Sequence, residues 1–240
     1  MYRRKTIYIP LLDMYIIKNG FAARAGRKVL RGINRGKTCE RQKQINENLA
    51  AEKRAYLILN NFVARHDTGK ELVRGDRWIT LTYKPGRKPD SLDCAHKNLT
   101  TMLRKIKRKY KACKYIAKTE DPGNGNFHHH LIMSRDVPHD FIAGLWFDFS
   151  SHIDDEEIYS LADFKLIYYF LKSDGSHKCI AAKYSASRNL DKPIVKVTIM
   201  RSGHWRREPV PKRGYEIFDT QNYFDVFGFE AQKYFMRRLI

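Results

Sequence analysis

Apolar and polar residues recur along the chain in patterns that predict an order of strands and helices. Residues 76–83, DRWITLTY, alternate apolar residues with threonines and predict a half-buried strand. Residues 92–110 carry apolar residues at helical spacing, with Ser91 as the expected N-cap. Two further strands follow over 113–120 and 127–134, CKYIAKTE and FHHHLIMS. The sequence DPGNGN between them is typical of a tight turn, so we expect these two strands to form a hairpin.

The patterning continues on both sides of this segment. A helix is predicted before it, over residues 40–62. After it come a short helix near 138–145, a clearer helix over 161–172 and a strand over 192–200, and the last thirty residues are predicted to pack as helix or strand. The order β–α–β–β–α–β favours an antiparallel sheet with helices packed on one side. The sequence therefore predicts an α+β fold of the ferredoxin-like type.

The net charge of the chain indicates what kind of partner it binds. The chain has 46 Lys and Arg residues against 26 Asp and Glu residues, and its formal net charge is +20. Such an excess is costly in self-repulsion unless a polyanion offsets it, and aromatic residues, at 12% of the chain, can stack on unpaired bases. Nucleic acid is therefore the favoured partner. A basic surface kept for solubility, or for anionic lipid, is the alternative.

The distribution of charge and of special residues bounds the domain organisation and the class. Residues 1–38 hold ten Lys and Arg residues against Asp13 alone, which predicts a flexible basic N-terminal arm. Residues 39–240 are expected to form the main domain, with an N-terminal helix and a C-terminal extension.

The segment GINRGKT is one residue too short for a phosphate loop, which excludes an NTPase site. The cysteines form no C-x-x-C pair, and no apolar run approaches the roughly 18 residues of a membrane span, so we expect a cytoplasmic protein with no membrane partner.

Three histidines follow the turn of the predicted hairpin. Successive side chains of a strand leave opposite faces, so His128 and His130 share one face and His129 lies on the other. A register that pairs Glu120 with His128 places this carboxylate beside both imidazoles, together with Lys118. Two imidazoles and a carboxylate suit Mg²⁺, Mn²⁺ or another divalent ion with open positions. The alternative is a solvated histidine strand with an exposed glutamate at its turn.

A basic helix face supplies a candidate nucleophile. In LADFKLIYYFLKSD, Tyr168 lies on the apolar stripe of the predicted helix, whereas Tyr169 lies on a different stripe with Lys165 and Lys172. The lysines attract a phosphodiester and favour the phenolate, whose free pKa is about 10. A solvated tyrosine on a basic helix face is the alternative.

In their order along the chain, these motifs resemble those of a known family. WITLTY, the His-x-His of FHHHLIMS and the Tyr-x-x-Lys of YFLK resemble the three motifs of HUH-type rolling-circle replication initiators. The segment YSASRNLDKP, residues 184–193, is similar to one found in Rep-like proteins of Gram-positive bacteria and their mobile elements. The resemblance spans roughly residues 40–240. His129 is a departure, since the family has a hydrophobic residue there, but this position faces away from the expected metal.

The resemblance implies a fold, a reaction and partners. The fold would be an RRM-like HUH endonuclease core, and the reaction a metal-dependent nicking and rejoining of single-stranded DNA at a replication origin, through a 5′-phosphotyrosine. A host helicase and polymerase in a bacterial cytoplasm are the expected partners. The alternatives are a relaxase-like or transposase-like nickase, or an inactive protein that binds single-stranded nucleic acid. The implied site comprises the nucleophile Tyr169 with Lys172, the Mn²⁺ or Mg²⁺ ligands Glu120, His128 and His130, and the DNA contacts Lys118, Lys165 and Arg188.

Overall fold

The structure is a computed structural model of the 240-residue chain. It describes residues 1–21, 40–62, 66–67, 72–73, 75–150, 152–158, 181–201, 204–224 and 229–239. The chain divides into two compact units: unit 1 comprises Met1–Tyr56 and Lys192–Ile240, and unit 2 comprises Leu57–Asp191. No helix within the described ranges is long and apolar enough to cross a membrane.

The described residues contain three α-helices and twelve strands. Unit 2 contains β3 (His66–Asp67), β4 (Leu72–Val73), β5 (Arg77–Leu81), α2 (Leu92–Lys109), β6 (Tyr115–Asp121), β7 (His128–Met133), α3 (His139–Trp146), β8 (Ile153–Glu157) and β9 (Ala181–Ala186). Unit 1 contains β1 (Tyr2–Ile9), β2 (Met14–Phe21), β10 (Ile194–Met200), β11 (Tyr215–Phe224) and β12 (Glu230–Arg238). The helix α1 (Glu40–Asn61) runs across the division between the two units.

Unit 2 is built on a five-stranded antiparallel sheet. Its strands lie in the order β8-β5-β7-β6-β9, with α2 connecting β5 to β6 and α3 connecting β7 to β8. The β–α–β–β–α–β order is present from β5 to β8, but the strand predicted to complete it, over 192–200, is β10 and lies in the other five-stranded sheet. The N-cap prediction is also confirmed, because Ser91 Oγ accepts a hydrogen bond of 3.2 Å from the Cys94 amide.

The two helices α2 and α3 cover one face of this sheet. Their apolar residues pack against inward-facing strand residues in a single cluster that includes Ile79, Leu81, Leu103, Leu131 and Trp146, all at or near zero exposure. The indole Nε1 of buried Trp146 donates a hydrogen bond of 2.8 Å to the carbonyl of Thr82. Since side chains alternate along each strand, the residues between these positions point to the opposite face of the sheet.

Unit 1 corrects the prediction of a flexible basic arm. Residues 2–9 and 14–21 are the strands β1 and β2, joined by a turn in which Asp13 takes a left-handed φ of 42°. They lie inside a second antiparallel sheet of order β10-β1-β2-β12-β11. The arm prediction rested on the basic residues, whereas these strands are held by pairing with β10 and β12 from the other end of the sequence. Residues 22–39 of the predicted arm lie outside the described residues.

The structure confirms some of the other predicted elements and corrects others. The α+β class is confirmed, but in place of the predicted single sheet the described residues form two five-stranded sheets and the two-stranded sheet of β3 and β4. The end of the chain, predicted as helix or strand, is strand in β11 and β12. The strands β8 and β9 were missed, because β8 is acidic (IDDEE) and β9 is short and small-residue-rich (AAKYSA). The helix predicted over 161–172 lies outside the described residues.

We expect Ile16→Ala to destabilise unit 1, because Ile16 has zero exposure within the interior strand β2. Truncation of a fully buried isoleucine costs about 3 kcal/mol. Arg3→Ala is the matched control: Arg3 is exposed on the paired strand β1, and its loss should change stability by less than about 0.5 kcal/mol. Urea unfolding followed through Trp205, a residue of unit 1, measures both. Equal urea midpoints for Ile16→Ala and Arg3→Ala would contradict the packing of β2 and support the prediction of a flexible arm.

Candidate metal centre

The pairing of β6 with β7 brings the predicted ligands together. Glu120 lies opposite His128 and Lys118 lies opposite His130, which is the register predicted from the sequence. The connecting turn explains this register: Gly123 and Gly125 adopt φ values of 80° and 73°, and Asp121 Oδ1 accepts a hydrogen bond of 2.8 Å from the Gly123 amide. The side chains of Glu120, His128 and His130 therefore converge on the sheet face opposite the helices.

The distances within this group suit a single ion. Glu120 Oε2 lies 2.9 Å from His128 Nε2 and 3.7 Å from His130 Nε2. One ligand atom from each of the three residues lies within 4.8 Å of the others. Neighbouring ligands of an octahedral ion with bonds of about 2.1 Å are separated by about 3 Å, so only small side-chain adjustments are needed. The donor set of two nitrogens and one oxygen fits Mn²⁺ or Mg²⁺ with positions left for substrate or water.

Each imidazole is oriented through its other nitrogen. His128 Nδ1 lies 3.2 Å from the Asn126 carbonyl, and His130 Nδ1 lies 3.2 Å from Thr80 Oγ1. If each Nδ1 proton is donated to these oxygens, the Nε2 lone pairs would be available to an ion beside Glu120; without an ion, His128 Nε2–H donates to Glu120 Oε2. The role of Thr80 was not predicted, although the alternation of WITLTY placed it on the face opposite Ile79 and Leu81.

The electrostatics of the group favour the metal-binding forms of Glu120 and His130, whereas His128 is held toward its protonated form. Burial opposes ionisation of Glu120, but hydrogen bonds from His128 and Lys118 outweigh it and lower the pKa of this carboxyl to about 2. Burial, followed by the nearby His128, lowers the pKa of His130 to about 4. The hydrogen bond to Glu120 raises the pKa of His128. At neutral pH Glu120 is thus charged and His130 neutral, which are the states that ligate metal.

Lys118 lies beneath this group and not on the surface. Its side chain has zero exposure, and its ammonium forms an ion pair with Glu120 Oε1. The ring of Tyr184, from the neighbouring strand β9, has its centroid 5.9 Å from the Lys118 Nζ. In the structure Lys118 thus pairs with Glu120 and is enclosed, and its contact with DNA stays a prediction.

The remaining predicted residues are separate from this group. Arg188 is exposed in the turn that follows β9, and its contact with DNA stays a prediction. Lys165, Tyr169 and Lys172 lie outside the described residues. The structure therefore brings together the three predicted metal ligands and Lys118.

The middle histidine of the tract belongs to a buried polar network on the opposite face. His129 Nε2 lies 2.8 Å from the Tyr83 hydroxyl, and His129 Nδ1 lies 3.0 Å from Thr119 Oγ1. Burial lowers the pKa of His129 to about 3, so its ring is neutral with one donor and one acceptor nitrogen. His96, on α2, extends the network at 3.1 Å from Thr119 Oγ1. The prediction that His129 faces away from the metal is confirmed, but a hydrophobic residue would not replace its two hydrogen bonds.

Two histidines spaced as His-x-His on one strand, with an acidic residue from the neighbouring strand, form an HUH-like group that could hold a metal ion. Residues 76–174 match the family model of the replication-associated protein ORF2, a family of phage and plasmid replication proteins. Over this segment, the match confirms the resemblance to HUH-type rolling-circle initiators. No curated protein and no solved structure matches the chain.

We expect Mn²⁺ binding to require His130 and to depend on Thr80. In calorimetric titrations, His130→Ala should lose measurable binding, and Thr80→Val should weaken it by roughly tenfold because the imidazole loses its orienting partner. His152→Ala is the control, since His152 is exposed next to β8 on the same sheet. A comparable loss in His152→Ala would contradict the assignment of the ligands.

We expect His129→Leu to reduce stability and to leave Mn²⁺ affinity unchanged. The variant removes one hydrogen-bond partner from the Tyr83 hydroxyl and one from Thr119 Oγ1, which should cost about 2 kcal/mol in the free energy of unfolding. Tyr83→Phe removes one of these two hydroxyl groups, so the double variant should lose less than the sum of the single losses. Strict additivity in a double-mutant cycle would contradict this coupling.

Proposed function

We propose that this protein is a metal-dependent endonuclease that nicks and rejoins single-stranded DNA at an origin of rolling-circle replication. The observation that carries the proposal is the convergence of Glu120, His128 and His130 within the segment that matches the replication-associated ORF2 family. That segment also contains Tyr169 and Lys172, in the order expected of a His-x-His motif followed by a Tyr-x-x-Lys motif.

The arrangement of unit 2 supports an HUH core. Four of its strands lie in the order β8-β5-β7-β6, and the chain connects them as β5-α2-β6-β7-α3-β8. This is the strand order and connectivity of a ferredoxin-like or RRM-like sheet. Its helices pack on one face, and the metal ligands point from the other. A substrate strand would therefore meet a sheet surface that carries the proposed ligands on two adjacent strands, β6 and β7.

In the proposed reaction, the phenol oxygen of Tyr169 bonds to the scissile phosphorus and the bond to the 3′-oxygen breaks. The phenol proton is lost, the departing 3′-oxygen gains a proton, and the products are a 5′-phosphotyrosine and a free 3′-hydroxyl. Attack by a 3′-hydroxyl on the phosphotyrosine reverses both bond changes and rejoins the strand without ATP. Lys172 and Lys165 are proposed to hold the phosphate and favour the phenolate.

The described residues supply the electrostatic setting for this step. Glu120, His128 and His130 would hold Mn²⁺ or Mg²⁺, which when bound offsets negative charge on the scissile phosphate. The Lys118 ammonium balances the Glu120 carboxylate, so these four residues add no net negative charge that would repel a phosphodiester when both imidazoles are neutral. The partner chemistry is that of single-stranded DNA at the origin, and we further propose a host helicase and polymerase as partners in the cytoplasm of a bacterial cell.

The test is a covalent adduct on DNA. The protein is incubated with Mn²⁺ and the single-stranded form of the replicon that encodes it, and the tyrosine-linked peptide is mapped by mass spectrometry. Wild type and Tyr168→Phe should form the adduct, whereas Tyr169→Phe, which loses only a hydroxyl, and His130→Ala should form none.

An adduct at Tyr168 or Tyr184 would overturn the assignment of the nucleophile. Salt-sensitive strand binding without any adduct in the wild type would favour the alternative of an inactive single-strand-binding protein. Adduct formation at a tyrosine other than Tyr169 would also reopen the relaxase-like and transposase-like alternatives.

A further inference from the structure

A cavity of about 390 Å³ lies in unit 1, outside the segment that matches the family. It opens on one face of the unit 1 sheet, over β1, β2 and β12, and residues 204–210 form its wall. The opposite face of the same sheet carries Lys18, which forms an ion pair with Glu52 of α1. The cavity is thus a feature of the face that α1 does not cover. None of its described lining residues is acidic.

The floor of the cavity is formed by three polar side chains, Arg4, Asn19 and Gln232, which belong to a row that crosses four strands. Arg4, Asn19, Gln232 and Asn222 are cross-strand neighbours. Arg4 Nε donates to Asn19 Oδ1 at 3.0 Å, Asn19 Nδ2 donates to Gln232 Oε1 at 2.9 Å, and Gln232 Nε2 lies 3.1 Å from Asn222 Oδ1. Asn19 and Gln232 are 2% and 0% exposed. Such a buried chain of amides is rigid only while each member keeps its partners, which fixes the shape of the floor.

This floor orients a positive charge without neutralising it. The guanidinium of Arg4 donates through Nε to Asn19 and through a terminal nitrogen to the Tyr2 hydroxyl at 3.2 Å. Both partners are neutral, and no carboxylate among the described residues pairs with Arg4. The remaining N–H groups of its planar fork are free to contact a phosphate or a base edge.

The wall places an aromatic ring beside this charge. Gln232 Nε2 lies 3.0 Å and 2.9 Å from the carbonyls of Arg206 and Arg207, which ties the 204–210 segment to the sheet. The ring of Trp205 meets the ring of Tyr2 edge to face, with 5.5 Å between centroids. Trp205 is half-buried, so part of its indole remains available to a ligand. The buried ring of Tyr234 also lines the cavity.

We propose that this cavity binds one nucleotide of single-stranded DNA, as a contact separate from the metal centre of unit 2. The base stacks on the indole of Trp205, and Arg4 contacts its edge or the adjacent phosphate. A base within a duplex is already stacked and paired, so the site selects unpaired strands. The choice of DNA as ligand rests on the proposed function, and the net charge of +20 supports a polyanionic partner.

The test measures equilibrium binding of a fluorescent single-stranded oligonucleotide to the full chain by anisotropy, in EDTA and at several salt concentrations. Trp205→Ala should weaken binding by roughly tenfold at every salt concentration, and Trp205→Phe should largely restore it, because stacking and not charge is removed. Arg4→Ala should lower the slope of log K against log salt by about 0.7. Arg3→Ala, with the same change in charge on the opposite face of β1, should leave affinity nearly unchanged. Thermal unfolding of each variant confirms that unit 1 is folded.

Three outcomes would overturn the proposal: Trp205→Ala binds as tightly as Trp205→Phe, Arg3→Ala and Arg4→Ala weaken binding equally, or a duplex or an RNA strand of the same sequence competes better than the DNA single strand. The titrations need neither metal nor nicking. Absence of a tyrosine adduct would therefore contradict the proposed function but not the nucleotide site of unit 1. Equal binding by Trp205→Ala and Trp205→Phe would contradict the nucleotide site but not the proposed function.

Discussion

The antiparallel register between β6 and β7 is the constraint on which the site depends. It pairs Glu120 with His128, and because side chains alternate, it also decides which side of the sheet each histidine faces. Three adjacent and chemically identical side chains therefore occupy opposite environments. His128 and His130 meet a carboxylate on one face, while His129 is enclosed on the other beneath α2 and α3, with a pKa lowered to about 3 by burial. A slip of one residue would exchange these roles and leave a carboxylate beside the wrong ring.

The pair formed by Lys118 and Glu120 shows how the fold tolerates ionised groups beneath the site. An isolated buried ammonium is expensive, and the adjacent carboxylate, with its pKa lowered to about 2, compensates it. The same carboxylate uses its other oxygen toward the two imidazoles. Glu120 thus takes part both in the buried ion pair and in the proposed ligand group, so we expect substitutions of Glu120 to disturb stability and metal binding together. Thr80 influences the centre only through the ring of His130, which makes it the cleaner position for separating the two effects.

Local sequence information was enough for the parts of the fold that local interactions determine. The N-cap of α2 at Ser91 depends on residues a few positions apart in the chain. The register of the hairpin around the DPGNGN turn likewise depends on residues close to that turn. The Glu120, His128 and His130 group followed from that register and from alternation alone. Burial could not be predicted in this way: Lys118 was assigned to DNA because its charge is visible in the sequence, whereas its enclosure depends on a distant strand that carries Tyr184. The sheet of unit 1 was missed for the same reason, since β1 and β2 pair with β10 and β12 from the other end of the sequence.

That last pairing has a consequence for the order of events during synthesis. The strands β5 to β9 of unit 2 emerge from the ribosome as one continuous stretch and can pair as they appear. The hairpin of β1 and β2 emerges before its partner strands β10 and β12, and an isolated two-stranded hairpin is at best marginally stable in water. The strands that pair with this hairpin, β10 and β12, are translated only after all of unit 2. Completion of unit 1 is thus a late step with long loop closure, slower than the folding of the unit that holds the metal ligands.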